Sequence, residues 1–387
     1  MLEETSEPDR ASLRALAAVF LRLGITAFGG PAAHIALMED EFVRRRRWLT
    51  HERFLDLLGA ANLIPGPSST ELAVYIGYEQ AGWRGLLLAG GCFILPSALM
   101  VGVIAWAYVR FGSLPQLAGA LYSIKPVVIG VIVQALWNLA PKALKGSSLL
   151  GVIGAGACIA SALGVDAIAV LLGSGITAVV AHRVRDGSEK NGVALSCGPV
   201  AVGAAGAAVA AVPVGLGIVF LTFLKIGALV FGSGYVLLAL LRADLVDRLH
   251  WLSEAQLLDA VAVGQVTPGP VFTTATFIGY IIAGAWGAVV ATVAIFLPGF
   301  VLVAVTRPFI ARIRRSTTAA AFFDGVNIAS LSLMAVVTVE LARAVLVDIP
   351  AILIVIGGAV VLILWKVNST WLVAGAALLG AVTHWPR

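Results

Sequence analysis

Apolar positions in this chain run in long unbroken stretches that are separated by short polar segments. About 20 apolar residues are enough for a helix to cross a bilayer, whereas a barrel strand needs only about 10 and alternates in polarity. The pattern therefore predicts about thirteen membrane-spanning helices. The stretches are 13–30, 52–81, 84–109, 117–140, 147–163, 165–182, 199–217, 218–241, 253–283, 284–306, 318–344, 349–366 and 368–385.

Composition agrees with this pattern. Apolar residues make up 60% of the chain and charged residues 12%, whereas globular domains carry about 25% charged residues. A soluble domain of this size cannot bury so much apolar surface. The chain is therefore expected to be an all-α polytopic membrane protein, which excludes soluble enzymes and nucleic-acid-binding domains.

The chain contains an internal repeat. Shifted by 203 residues, segment 20–67 aligns with 223–270 without a gap, with 16 identities in 48 positions. The match predicts two related halves, 1–182 and 218–387, joined by a polar linker and a connecting helix over 183–217. Six spans plus one connecting span make an odd number of crossings, so the halves are expected to be inverted repeats. Secondary transporters commonly have this architecture, with the binding site at the midplane.

Basic residues give an orientation. With the N-terminus inside, fifteen Lys and Arg residues lie on the inner side and eight on the outer side. The positive-inside rule then places the N-terminus in the cytoplasm and the C-terminus outside. The run Arg44–Arg47 opposes this assignment. Either stretch 13–30 is re-entrant, or the run pairs with Glu39, Asp40 and Glu41.

Two matched Pro-Gly-Pro segments interrupt apolar stretches, at 65–67 and 268–270. Proline breaks a helix, and Ser68 to Glu71 has the capping-box pattern that starts a new one. The N-terminus of such a half-helix attracts anions. The alternative is a pair of kinks satisfied by neighbouring helices. The candidate anion-binding residues are Pro65, Gly66, Pro67, Ser68, Ser69, Thr70, Thr267, Pro268, Gly269, Pro270, Thr273 and Thr274.

A further break is predicted at Phe28-Gly29-Gly30-Pro31, with Phe231-Gly232-Ser233-Gly234 as its partner. Glycine lets the backbone approach a ligand or another helix. Gly29 and Gly30 therefore join the candidate binding residues, with tight helix packing as the alternative.

Two matched cations, Arg22 and Lys225, lie within apolar stretches. A charge at that depth is costly and usually faces a cavity or a partner. An inverted pair would place positive charge on both sides of one site, unless each side chain snorkels to an interface. Lys125 is a third embedded cation, but its counterpart is Asn327.

Four more residues are candidates for coupling or secondary roles, and each has a simpler structural interpretation. His34 is a lone titratable group beside the Gly-Gly-Pro break, and Glu71 either caps its helix or carries a proton. Asn62 matches Gln265, and Asp56 matches Asp259. These pairs are either a proton relay or helix-packing partners, and packing is the expectation.

Other function classes have weak support. The sequence contains no nucleotide-binding loop, no HExxH motif and no histidine pair at metal spacing, so we expect neither a cofactor nor a metal and no enzyme activity. An intramembrane serine protease would need Ser233 with His250. A non-transporting scaffold remains the other alternative.

These motifs follow one another in a fixed order, and several of them recur in the second half. In this arrangement the sequence resembles the CHR family of chromate ion transporters in its long two-domain form. Phe28-Gly29-Gly30-Pro31, the segment 44–48 and Asn62 to Pro67 carry the resemblance, with echoes at 231–232 and 265–270.

The resemblance implies an inner-membrane transporter that exports chromate, driven by the membrane potential, the proton gradient or both, and that gives chromate resistance. Sulfate or another oxyanion is the alternative substrate. The implied partners are a small oxyanion and the lipid bilayer, and a homodimer is left open.

Overall fold

The computed structural model describes residues 11–112, 115–188, 214–230, 236–306, 316–364 and 369–383. The described part of the first half contains the helices α1 (Leu13–Thr26), α2 (Gly30–Glu39), α3 (His51–Ala61), α4 (Ser68–Phe111), α5 (Pro115–Leu144), α6 (Ser148–Ala162) and α7 (Ala167–Ser188). The second half contains α8 (Leu216–Leu229), α9 (Val236–Leu241), α10 (Glu254–Val266), α11 (Thr274–Thr306), α12 (Thr317–Val345), α13 (Ile349–Leu364) and α14 (Ser369–Thr383).

Five of the described helices are long and apolar enough to cross a membrane, and four shorter helices are also apolar. The all-helical membrane fold that the hydropathy pattern predicts is therefore present. The long helices are Ser68–Phe111, Gly119–Leu144, Ala167–Arg185, Val271–Thr306 and Thr317–Val345. The count of thirteen spans stays a prediction, because most of the predicted connecting stretch, 199–213, lies outside the described residues.

The two halves repeat the same elements at the same spacing. Helix α8 begins and ends 203 residues after α1, and π-helical turns occur at Asp40–Arg45 and Arg242–Arg248. The residues that follow these turns, Arg47 and His250, both adopt a left-handed conformation, with φ of 53° and 52°. The internal repeat inferred from the sequence is thus a repeat of local structure.

Helices α4 and α11 are each bent into two arms. The bend in α4 lies at Ala81–Gly82 and that in α11 at Ala283–Gly284. The two glycines have φ of 60° and 63°, a conformation that residues with a side chain rarely adopt. These bends lie within one or two residues of the boundaries that the sequence predicts, between 81 and 84 and between 283 and 284.

The arms of each bent helix pack at backbone distance. A Cβ atom on Gly77 would lie 2.3 Å from the carbonyl oxygen of Gly85, and one on Gly279 would lie 2.3 Å from that of Gly287. Helix α1 packs equally closely on the second arm of α4, because a Cβ on Gly24 would lie 2.7 Å from the Phe93 carbonyl oxygen. This close packing holds the Pro-Gly-Pro segment of each half beside α4 and α11, which also pack on each other.

Candidate functional site

The two Pro-Gly-Pro segments are tied to the opposite half by a reciprocal pair of hydrogen bonds. The Gly66 N–H donates to the Val230 carbonyl over 2.6 Å, and the Gly269 N–H donates to the Ala27 carbonyl over 2.9 Å. Each donor and each acceptor is 203 residues from its counterpart. The halves therefore meet in a pseudo-twofold arrangement, with both chain breaks at the junction.

Both breaks are confirmed. Helix α3 ends at Ala61 and α4 begins at Ser68, while α10 ends at Val266. In the second half a single 3-10 turn, Val271–Thr273, precedes α11. The hydroxyls of Thr273 and Thr274 donate to the carbonyls of Pro270 and Val271, which favours this tighter turn.

The predicted capping box at the start of α4 is wrong. The N-cap residue is Pro67, whose side chain accepts no hydrogen bond, and Ser68 is already inside the helix. The amides of Thr70 and Glu71 donate to the Pro67 carbonyl over 2.7 and 3.1 Å. The side chain of Glu71 is therefore left without a capping role.

Two buried polar groups at the first break have no hydrogen-bond partner in the described structure. They are the Thr70 hydroxyl and both carboxylate oxygens of Glu71. Glu71 Oε1 lies against the backbone of Gly66 and faces Gly299 of α11, where a Cβ would be 3.5 Å away. Buried polar groups are nearly always bonded, so unsatisfied groups at one place mark a site for a ligand or for chemistry.

The equivalent groups at the second break are satisfied. Thr273 Oγ1 lies 3.0 Å from Ser97 Oγ of α4, and Gly269 packs directly on Ser97. Within these helices the offset is 202 residues, so the counterpart of Ser97 is Gly299, and the counterpart of Glu71 is Thr273 at this offset or Thr274 at the offset of 203 residues. The junction is therefore symmetric in its backbone and asymmetric in its polar side chains.

His34 connects the first turn of α4 with the residue that follows α1. Its Nδ1 lies 3.3 Å from Ser69 Oγ, and its Nε2 lies 3.0 Å from the carbonyl oxygen of Ala27, which also accepts from Gly269. The ring is buried and meets Phe93 edge-on. These contacts favour the structural interpretation of His34.

The matched cations Arg22 and Lys225 are bound to matched acids. Arg22 lies 2.5 Å from Glu41, and Lys225 lies 2.6 Å from Asp244. The Arg22 side chain is 50% exposed, whereas the carboxylates are almost fully buried. The cations therefore point to the π-helical turn of their own half.

Three arginines of the run Arg44–Arg47 pair with Glu39, Asp40 and Glu41, as one of the two explanations for the run predicts. The ion pairs are Arg44–Glu39 at 3.7 Å, Arg45–Asp40 at 2.7 Å and Arg46–Glu41 at 2.6 Å. Arg248 approaches Asp244 in the same way, at 3.0 Å. Each buried acid thus lies between two cations, and each such three-residue cluster keeps one net positive charge.

Lys125 lies in a polar cluster that connects the halves. Its ammonium group lies 3.4 Å from Asp259 of α10, and Tyr108 of α4 donates to the same carboxylate over 3.0 Å. Since Asn327 replaces Lys125 in the second half, this cluster occurs on one side only.

The remaining predicted residues are dispersed. Gly29 is exposed, and a Cβ on Gly30 would meet nothing within 4 Å, so this pair does not serve helix packing. The Thr267 hydroxyl bonds to its own helix at the Val263 carbonyl. Asn62 is exposed and Gln265 is buried. The predicted partner break at 231–234, with Ser233, lies outside the described residues.

A narrow crevice lies beside the second break. It is lined by residues that include Gln265, Val271 and Thr274 and has a volume of about 10 Å³, roughly the room for one water molecule. A cavity of about 790 Å³ lies elsewhere, near Lys145, His182 and Arg185. No group of three His, Cys, Asp or Glu residues in the described part of the chain could hold a metal ion.

Sequence reasoning missed three residues of these sites, Asp244, Ser97 and Gly299, and it named Glu41 as a partner of the arginine run but not of Arg22. Glu41 and Asp244 are both acidic at the offset of 203 residues, so the repeat could have revealed their shared role. Ser97 and Gly299 carried no such signal, because their residue types differ and their contacts are with distant segments.

The fold and the junction define a multi-pass helical membrane protein built from two structurally related halves, the class that includes many secondary transporters. The chromate transporter family model matches residues 14–179 and 218–381, one copy on each half. The chain therefore belongs to the chromate transporter family.

Three full-length relatives agree with this assignment. A chromate transport protein of Cupriavidus metallidurans is 35% identical over 96% of this chain and 94% of its own length. A probable chromate transport protein of Synechococcus elongatus is 32% identical over 97% and 96%. A chromate transport protein of Pseudomonas aeruginosa is 32% identical over 96% and 93%. No solved structure matches the chain.

Proposed function

We propose that this protein exports chromate across the bacterial inner membrane, driven mainly by the membrane potential, and that this export gives resistance to chromate. The chromate transporter family model matches both halves, and this match supports an oxyanion such as chromate as the substrate. The relatives named as chromate transport proteins cover almost the whole chain, so the comparison extends to both breaks and to the junction.

The proposed binding site is the junction between the breaks. A dianion loses its hydration shell on entering, and polar groups held in place by the fold must replace that shell. The Thr70 hydroxyl is unpartnered there, the Thr273–Ser97 hydroxyl pair lies on the other side, and the N-terminal ends of α4 and α11 add positive potential. The unsatisfied Thr70 hydroxyl is the observation that supports this placement most directly.

Arg22 and Lys225 contribute at longer range. Because each cation is bound to a buried acid of its own half, we propose that it raises the local potential through its net-positive cluster and does not bind the ion directly. This modifies the role expected from the sequence, where the pair replaces the water around the ion.

We further propose that the halves are inverted and that transport proceeds by rocking of one half against the other. The reciprocal Gly66 and Gly269 hydrogen bonds support a twofold relation between the halves. The distribution of basic residues supports an N-terminus inside and a C-terminus outside.

The energetics favour export without ATP. The interior of a bacterium is negative, and each charge that crosses 100 mV is worth about 2.3 kcal/mol. Outward movement of a dianion is therefore downhill by about 4.6 kcal/mol at 100 mV on the same basis.

The test is chromate accumulation in inside-out membrane vesicles energised by respiration, with vesicles from cells that lack this protein as control. We expect accumulation that requires the membrane potential. Chromate uptake equal to that of the control vesicles would overturn the substrate. Accumulation that survives collapse of both potential and pH gradient, without an opposing chromate gradient, would overturn the driving force.

Sulfate is the competitor in the same assay, because it has the charge and shape of chromate. Inhibition of chromate uptake by excess sulfate is expected from a site that recognises a tetrahedral dianion. Uptake of labelled sulfate without uptake of chromate would assign the site to sulfate instead.

A further inference from the structure

Glu71 is a buried carboxylate without a partner, at the edge of the proposed anion site. The residue is 1% exposed, and neither oxygen has a hydrogen-bond partner in the described structure. Its Oε1 atom lies against Gly66, inside the first Pro-Gly-Pro segment, and faces Gly299 across the junction. A charged group in such a place is expensive unless it is paired, so the acid is expected to be neutral here.

In the described structure no cation forms an ion pair with Glu71, and neither of its carboxylate oxygens has a hydrogen-bond partner. Four cations of the surrounding helices are bound to other acids, in the pairs Arg22–Glu41, Arg53–Glu79, Lys125–Asp259 and Arg242–Glu254. The neighbouring titratable groups are His34, bonded to Ser69 and Ala27, and Tyr75, bonded to Thr306. The other titratable residues of helices α1, α2, α3 and α11 are Arg14, Glu39, His51, Glu52, Asp56 and Tyr280.

Only the first half carries this acid. The counterpart of Glu71 is a threonine at either offset, Thr273 or Thr274, and both of these hydroxyls donate to backbone carbonyls. In the described part of the chain, the junction therefore has one carboxylate without a hydrogen-bond partner, although its backbone is duplicated. A single unpartnered carboxylate at a twofold junction provides one proton site per transport site.

We propose that Glu71 must be protonated for the dianion to bind, and that one proton consequently crosses the membrane together with each chromate ion. This inference rests on the proposed function. An ionised Glu71 would place a negative charge beside the anion and would compete for the positive end of α4. Protonation and anion binding therefore favour each other, so proton and anion move in the same direction.

The proton balance of the cycle is simple. As chromate binds, the Glu71 carboxylate takes one proton from a hydronium ion on the cytoplasmic side, which becomes water, and chromate itself is unchanged. After the junction opens outward and chromate leaves, the carboxylic acid returns that proton to a water molecule on the outer side, which becomes hydronium. Each cycle then moves one net negative charge, half the charge of the dianion alone.

The test measures the reversal potential of chromate flux in proteoliposomes of the full chain, at equal pH on both sides and with a tenfold chromate gradient. Such a gradient is balanced by about 59 mV when one charge moves and by about 30 mV when two charges move. We expect about 59 mV for the wild type, with proton movement detected by a trapped pH dye. We expect about 30 mV and no chromate-dependent proton movement for Glu71→Gln, a neutral isostere.

Exchange of labelled for unlabelled chromate checks that Glu71→Gln is folded and binds its substrate, because exchange needs no net proton movement. We expect exchange in this variant, with a rate that no longer falls as the pH rises. Glu79→Gln, on the same helix and outside the junction, is the matched control and should behave as the wild type.

The outcomes are separable. A wild type that moves no chromate overturns the proposed function itself. A wild type that transports chromate with a reversal potential near 30 mV overturns only the role of Glu71. So does a Glu71→Gln variant that keeps the wild-type value, or one that folds and has lost exchange.

Discussion

Gly66 shows at the scale of one residue why the breaks contain glycine. Its φ of 137° lies in a region that residues with a side chain rarely adopt. Its N–H donates across the junction to Val230, and a Cβ would collide with the carboxylate of Glu71 at 2.2 Å. The residue therefore combines a backbone conformation, an inter-half hydrogen bond and contact with the buried acid.

We predict that Gly66→Ala abolishes chromate flux and lowers the free energy of unfolding by about 1–3 kcal/mol, the usual cost of a forced backbone conformation. The flexible Glu71 side chain can move away from the new methyl group, but this movement changes the junction. Flux in vesicles and thermal unfolding in detergent measure the two effects.

Gly164→Ala is the matched control. Gly164 also has a positive φ, of 81°, but a Cβ there would meet nothing within 4 Å. We expect a similar loss of stability with flux retained. Equal loss of flux in both variants would show that backbone strain, and not the junction, explains the effect of Gly66→Ala.

At the scale of the elements, the two π-helical turns each hold a buried acid that binds two cations. Glu41 and Asp244 each bind two cations, one from the first helix of their half and one from the end of the turn, where Arg46 directly follows the first turn and Arg248 is the last residue of the second. A buried acid between two cations orients both side chains, and the remaining positive charge acts at a distance through the solvent.

We predict that Arg22→Gln and Lys225→Gln each reduce chromate flux several-fold at low salt and that the reduction nearly disappears at about 1 M salt, where the screening length falls to about 3 Å. Initial rates at subsaturating chromate, measured in low and high salt, test this. A loss of the same size at both salt concentrations would indicate that the cations bind the ion directly.

Much of this element structure could be predicted from the sequence. The Pro-Gly-Pro breaks, the boundaries of the two bent helices and the repeat follow from proline chemistry and from one fixed offset. The capping role of Glu71 could not be predicted, because the pattern of residues does not show that Pro67 occupies the N-cap position.

The polar contacts of the junction were also beyond sequence reasoning. Ser97 and Thr273 are 176 residues apart and meet only because α4 and α11 pack together. In the same way, the ion pairs of Arg22 and Lys225 depend on the π-helical turns, for which hydropathy has no signal. Features that depend on the local backbone could be predicted from the sequence, whereas contacts between distant segments could be identified only in the folded structure.

At the scale of the whole molecule, the proposed transport mechanism depends on the two halves having opposite orientations in the membrane. The loop between α5 and α6, near Gly146, is the counterpart of the loop between α12 and α13, near Val347. Both positions are accessible, since a Cβ on Gly146 would meet nothing within 4 Å and Val347 is 74% exposed.

We predict that Gly146→Cys is labelled only from the cytoplasmic side and Val347→Cys only from the outer side, because inverted halves place equivalent loops on opposite faces. The background variant replaces Cys92, Cys158 and Cys197. A membrane-impermeant maleimide applied to intact cells and to inside-out vesicles provides the measurement. Labelling of both cysteines from the same side would show that the halves are parallel.

The proposed transport requires one oxyanion to bind between the two chain breaks. The position of the chromium anomalous signal in crystals of the protein soaked with chromate tests this binding site. We expect one peak between the first turns of α4 and α11, within reach of Thr70 and Thr273. A peak only in the basic cavity near Lys145 and Arg185, with none at the junction, would contradict the account.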